Sequence, residues 1–260
     1  MMLEPEVETL PWEEQLALDD TSYRTQLAYL LERSAFYRER LPAARSGGLA
    51  DIAELPLTDK RELRATVTSD NPIGAHLCAE PSEIVRIYST SGTTGAPSYV
   101  PLTAGDLDNW VTASARSYAA SGVAAGQRIV STYDAGPFVA GAALAAFERI
   151  GLVHIPVGTG NTERLIRAVE LLEPEAVVLT PSYAAYLAEN FDLAGSSVER
   201  VLVAGEPGEG SRPSGRSSRR AGARRSPRRW ASATSACRSG VSAKSRTECT
   251  SGRADSSTPS

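Results

Sequence analysis

Between Gln127 and Ala204 short β-branched runs alternate with segments of helical spacing, and no other feature of the chain restricts its fold as strongly. The runs fall at residues 128–132, 153–157, 176–180 and 200–204, and the helical spacing at 139–150, 162–172 and 181–190. Strands joined through helices must lie parallel, because each crossover returns the chain to the same end of the sheet before the next strand begins. The last helical segment opens on Pro181, whose fixed φ and missing N–H suit a first turn. The expectation is an α/β fold in which N-terminal helices precede a doubly wound, mostly parallel sheet.

Upstream of the sheet the pattern is helical. Residues 21–40 place Leu27, Tyr29, Leu30, Leu31 and Phe36 on helical intervals with charges between them, which predicts one amphipathic helix packed on the main domain. Residues 58–64 lie within Leu55-Pro56-Leu57-Thr58-Asp59-Lys60-Arg61-Glu62-Leu63 and predict a short helix with Thr58 as N-cap. The chain divides into a helical segment 1–80, a sheet domain 81–208 and a tail 209–260.

The tail has a different chemistry. Residues 211–260 hold eleven Arg and one Lys against Glu248 and Asp255, a net of +10, which leaves −14 for the 210 residues before them out of a total of −4. They contain fourteen Ser, a single Val and no Leu, Ile, Met or Phe, so they cannot bury enough apolar area to offset the entropy of ordering, and disorder is expected. Eleven Arg could also contact nucleic acid or an anionic membrane, but no aromatics are interleaved and no nucleic-acid fold is recognisable, so neither partner is expected. Cys78, Cys237 and Cys249 show neither metal-type spacing nor a pairing pattern, no signal peptide opens the chain, and the longest apolar stretch, residues 138–147, is too short for a bilayer. A reducing cytoplasm is the simplest home for such a chain.

The chemistry is concentrated in Tyr88-Ser89-Thr90-Ser91-Gly92-Thr93-Thr94-Gly95-Ala96-Pro97, between the strand-like residues 84–88 and a helix expected to begin near Ala104. Glycines let the backbone approach an anion, amides converge on it, and hydroxyls donate to its oxygens. No Gly-Lys-Ser/Thr follows, so this is not a Walker loop. The string resembles the phosphate loop of adenylate-forming enzymes. Phe36-Tyr37-Arg38-Glu39-Arg40-Leu41, then the Leu55–Lys60 motif, the loop, residues 158–163, Leu179-Thr180-Pro181-Ser182-Tyr183 and Ala204-Gly205-Glu206-Pro207 follow in the order seen in phenylacetate-CoA ligases.

That resemblance implies an AMP-forming acyl- or aryl-CoA ligase that uses ATP, Mg²⁺ and coenzyme A, with a small carboxylic acid as substrate and a coenzyme A or carrier-protein thiol as acceptor. By the same resemblance Ser91, Thr93, Thr94 and the amides of Gly92 and Gly95 hold the β- and γ-phosphates, while Gly205, Glu206 and Pro207 line the adenine. Phe138 matches a position near the acyl pocket; an ordinary core Phe at a strand-to-helix turn is the alternative. The family usually carries a Lys beside the Pro of the loop, whereas Ala96 and Ser98 flank Pro97 here. His76 and His154 stand alone, and a packing or surface role is expected for both; Asp134 reads equally as a solvated turn residue.

After Pro207 the family's Tyr-Gly-x-Ser/Thr-Glu element, whose Glu helps hold Mg²⁺, its ribose-gripping Asp and its catalytic Lys are all missing. The abrupt change suggests a reading-frame shift. In the shifted frame each codon takes its second and third bases from the next residue written here, and one permitted reading past Glu209 restores helical periodicity, an acidic balance and the strings MGIGDIG and GEC…DGMH where the family has matching elements. A nucleotide- or acyl-binding module without catalysis, carrying a basic arm, is the reading from another class. Limited proteolysis is expected to remove the tail and leave a stable fragment ending near Gly208; a compact, protease-resistant tail would contradict this.

Overall fold

The computed structural model describes residues 2–41, 47–90, 97–133, 140–193 and 195–205, together with the backbone of Thr234–Ala236. The chain opens with α1 (Pro5–Glu8), α2 (Trp12–Arg33), α3 (Ala35–Arg40) and α4 (Lys60–Ala65). An antiparallel hairpin follows, of β1 (Ile84–Ser89) and β2 (Tyr99–Thr103), and leads directly into α5 (Ala104–Ala120). From there strand and helix alternate through β3 (Arg128–Ser131), α6 (Ala140–Ile150), β4 (Val153–Pro156), α7 (Thr162–Leu172), β5 (Ala176–Leu179), α8 (Pro181–Asn190) and β6 (Arg200–Val203). The short strand β7 (Thr234–Ala236) comes last.

Strands β3 to β7 form one parallel sheet in the order β4-β3-β5-β6-β7, so the expected doubly wound architecture is present. Its two faces follow from the period of two in a strand. Ile129, Ala176, Val178 and Leu202 point to one side, where they pack with Val111, Ala115 and Tyr118 of α5 and Leu144, Phe147 and Ile150 of α6. Val130, Val177, Leu179, Val201 and Val203 point to the other, against Leu165 and Val169 of α7 and Leu187 of α8. All four residues of β5 are buried, as a central parallel strand covered on both faces requires.

Polar groups tie the strands together at both ends. At the N-terminal end the Glu175 carboxylate accepts from the Arg128 amide at 2.7 Å, and the Glu175 carbonyl accepts from Glu199 N and Arg200 N. That Arg128 hydrogen bond holds the Glu175 carboxyl below the usual carboxylate range. Inside the first face Ser131 Oγ and His154 Nε2 share a hydrogen bond of 2.8 Å, and Phe147 meets the His154 ring edge-on at 5.0 Å between centroids.

Three local expectations need correction. The helix expected over 21–40 begins at Trp12 and breaks at Ser34, whose extended backbone (φ −127°, ψ 125°) lets its hydroxyl donate to Ala75 O at 2.8 Å. Thr58 is not the cap of α4: Asp59 accepts from Arg61 N and Glu62 N, while Glu62 returns a bond to Asp59 N, and the Thr58 hydroxyl accepts from Arg40 instead. The phosphate-type loop leads into β2 rather than directly into a helix, and Ala104 begins the helix with Thr103 as its N-cap.

Most of the tail lies outside the described residues; its Thr234–Ala236 pair in parallel with Val201–Val203. Among the described residues no helix is long and apolar enough to cross a membrane.

Two measurements check this packing. Phe147→Ala is expected to destabilise the fold by about 3–5 kcal/mol in urea unfolding, since a fully buried ring is deleted. Leu171→Ala, at a position 67% exposed, should stay within about 0.5 kcal/mol, and equal costs would misplace the core. Burial also pushes the His154 imidazole below its ordinary value, with Glu148 opposing the shift, and burial lowers His76. Both rings are therefore held neutral in the fold, and the unfolded chain takes up their protons first as pH falls. Their contribution is complete above about pH 6.5 and is lost as pH drops from there through the depressed folded values, a window above the one in which Asp20, Asp59 and Glu175 protonate. The urea midpoint should therefore fall between pH 7.5 and 5.5, and fall less in His154→Gln; identical profiles for the two proteins would exclude His154 as a source.

Candidate functional site

In an open α/β sheet ligands sit beyond the carboxyl ends of the strands, where successive connections leave in opposite directions. Here that point lies between β3 and β5, because the chain runs from β3 outward to β4 and returns past β3 to β5. The residues ending these strands are polar. Thr132 donates through both N and Oγ1 to Val178 O, each at 3.2 Å, and Thr159 Oγ1 donates to Thr132 O at 3.1 Å. The Tyr133 hydroxyl lies 2.9 Å from Leu179 O and 2.7 Å from Ala204 O, so one side chain from β3 spans the exits of β5 and β6.

Gly205 ends β6 at φ +101°, a left-handed conformation that side chains resist, and a Cβ there would stand 3.6 Å from Thr180 Cγ2. The backbone thus turns sharply beside the first turn of α8, which Thr180 caps through its bond to Tyr183 N. Tyr183 in turn donates to Thr162 Oγ1 at 2.9 Å, linking α8 to the start of α7.

The hairpin supplies the second part of the site. Tyr88 pairs with Val100 and Ser89 with Tyr99. Thr90 N donates to Ser98 O at 2.9 Å, and Ser98 N donates to Thr90 Oγ1 at 3.0 Å, so the two strands close tightly at the base of the loop. Tyr88 and Leu102 anchor this hairpin on α5 through Leu107 and Trp110.

From the other side α4 meets that base. Lys60 Nζ lies 3.4 Å from Thr90 Oγ1, and Arg64 Nε lies 3.3 Å from Ser98 Oγ. These residues, with Tyr29, Tyr37, His76 and Cys78, line a cavity of about 1490 Å³ between the N-terminal helices and the hairpin; Gly205 is not in its wall. Burial raises both the Tyr37 hydroxyl and the Cys78 thiol, so neither is primed to ionise near neutral pH.

Of the site residues expected from sequence, Gly205 is placed at the end of β6. Ser91, Gly92, Thr93, Thr94, Gly95, Phe138, Glu206 and Pro207 lie outside the described residues, as does Asp134. His76 and His154 make packing and hydrogen-bond contacts with Thr66 and Ser131. Sequence reasoning missed Tyr133, Thr132, Lys60 and Arg64. For Tyr133 the available signal was its place immediately after the run at 128–132; for the two cations it was helical spacing of four that puts both on one side of a short helix.

No family model matches the chain. A phenylacetate-coenzyme A ligase of Thermus thermophilus is 38% identical over 210 residues, covering 78% of this chain and 46% of that protein. Its Escherichia coli counterpart is 31% identical over 213 residues, covering 77% and 48%. Among solved structures, a 2-hydroxyisobutyryl-CoA ligase in complex with 2-HIB-AMP and CoA, in the thioesterification state, superposes with a TM-score of 0.72 at 27% identity over 78% of this chain and 46% of that one. The chain spans about half the length of the curated relatives it matches.

Proposed function

The chain carries the N-terminal portion of an adenylate-forming ligase of the phenylacetate-CoA ligase family, and on that premise we propose that the whole protein couples a carboxylic acid to coenzyme A with ATP. The observation that carries this reading is the 38% identity over 210 residues to a ligase of that name. In the reaction, a carboxylate oxygen attacks the α-phosphorus of ATP, the bond to pyrophosphate breaks, and an acyl-adenylate forms. A thiolate then attacks the acyl carbon and AMP departs.

Such chemistry asks the protein mainly to position reactants and balance phosphate charge. We assign Ser91, Gly92, Thr93, Thr94 and Gly95 to the β- and γ-phosphates, Gly205, Glu206 and Pro207 to the adenine, and Phe138 to the acyl pocket. The hairpin base supports the first assignment, since the bonds between Thr90 and Ser98 bring together the two ends of the Gly- and Thr-rich segment. The turn at Gly205 supports the second: it directs the backbone away from β6 at the carboxyl edge of the sheet.

Mg²⁺ would screen the phosphate charge. Among the described residues no cluster of three or more His, Cys, Asp or Glu could hold a metal ion, and the segment after Pro207 lacks the family's metal-binding Glu as written. Among the described residues none fits the ion. We divide the protein into a helical segment 1–80, an incomplete nucleotide-binding domain 81–208 and a frame-shifted tail, and we place it in the cytoplasm. The second reading is a nucleotide- or acyl-binding module without catalysis.

Pyrophosphate release with ATP, Mg²⁺, coenzyme A and either phenylacetate or benzoate separates these readings. The chain as written should be silent, because each missing charge-stabilising group typically carries about 10²–10³ in rate. A gene with the frame restored should turn over. Equal turnover by both would refute the frame shift, and silence from the restored protein with every acid would favour the binding module.

A further inference from the structure

We propose that Lys60 and Arg64 form an oligophosphate-binding pair at the base of the loop, supplying the positive charge that the loop itself lacks; this deepens the nucleotide-binding reading above and rests on it. The segment from Ser89 to Ser98 contains no cation, yet it is assigned to the most highly charged part of ATP. The structure brings two cations to that segment from a separate element: Lys60 reaches Thr90 on the incoming strand side, and Arg64 reaches Ser98 on the outgoing one. Because Thr90 and Ser98 are bonded to each other, both cations bracket one point, and both face the cavity of about 1490 Å³.

Neighbouring carboxylates are committed elsewhere. Asp59 caps α4 and pairs with Arg61 at 2.9 Å; Glu62 pairs with Arg40 at 2.7 Å; Glu83 pairs with Arg33 at 3.4 Å; Asp106 holds the Thr103 hydroxyl at 2.8 Å. None of these bonds includes Lys60, and among the described residues its hydrogen-bond partner is the uncharged Thr90 hydroxyl.

The composition adds a second, independent line. Residues 1–210 contain fifteen basic residues, of which fourteen are Arg and one is Lys, and that lysine is Lys60. A lysine differs from arginine in carrying a compact, rotatable point charge with three donors, which suits an oxygen cluster approached end-on. Within residues 1–210, where every other Lys or Arg position is arginine, the exception stands at the base of the proposed phosphate loop.

The test is isothermal titration of the full chain with inorganic pyrophosphate, ATP and AMP. Lys60→Ala should bind pyrophosphate and ATP about ten-fold more weakly and AMP unchanged, since charge-assisted bonds to the terminal phosphates are lost and AMP has none of those phosphates. Arg64→Ala should weaken the same two ligands by about three-fold or more, and Lys60→Arg should retain most of the affinity. Arg61→Ala, on the same helix but 91% exposed and paired with Asp59, serves as the control for diffuse charge and should change nothing. Circular dichroism checks that each variant is folded, and Lys60→Gln replaces Lys60→Ala if that variant is not. Unchanged pyrophosphate binding by Lys60→Ala, an equal loss in Arg61→Ala, or a matching loss for AMP would overturn the proposal while leaving the nucleotide-binding reading standing. Failure of the unaltered chain to bind any of the three ligands would overturn both.

Discussion

The requirement that a parallel sheet be covered on both faces organises this molecule. A strand such as β5 sends Ala176 and Val178 one way and Val177 and Leu179 the other, so each strand belongs to two cores at once. Neither helix layer is optional, because removing one exposes half the side chains of every strand beneath it. Phe147 shows the same dependence locally: its ring lies 4.8 Å from that of Tyr118 and also faces His154, joining α5, α6 and β4. Tyr133 and Glu175 then tie the strands at their carboxyl and amino ends respectively, through bonds to main-chain groups.

Given that sheet, the place for a ligand follows from chain direction rather than from any residue type. The connections diverge between β3 and β5, and Thr132, Tyr133 and Thr180 stand at the carboxyl ends of the strands there. The segment proposed for anion recognition sits on a different element, a hairpin packed on α5 by Tyr88 and Leu102. The division is physically sensible: a parallel sheet has no room for a tight two-strand turn, whereas an antiparallel pair can present one. The α4 helix completes the arrangement from outside, its capping box fixing the register in which Lys60 and Arg64 face the hairpin.

Much of this could be read from sequence, and the omissions have definite causes. The four parallel strands and the helices between them were legible because each carries either a β-branched run or a clear apolar period, and α8 starts at Pro181 as expected. The break at Ser34 was not, because its cause is a hydrogen bond to Ala75, 41 residues away. Strand β2 was hidden by Pro101, which sequence rules place at the edge of a sheet or outside one, and here it sits in a two-stranded sheet that is all edge. At the site, the loop announced itself through glycine and threonine order, while the pair on α4 could not, since a cation on a short helix is ordinarily a solvated surface group. Only the fold shows that its neighbours are Thr90 and Ser98.

The pairing of Thr234–Ala236 with β6 carries a consequence for where the parallel sheet ends. A β-ladder is made of amides and carbonyls, and these are the same whatever codon specified the residue. The three paired residues are Thr, Ser and Ala. A short run of almost any composition can therefore add itself beside β6, and in the order β4-β3-β5-β6-β7 the added strand becomes the outer edge in place of β6.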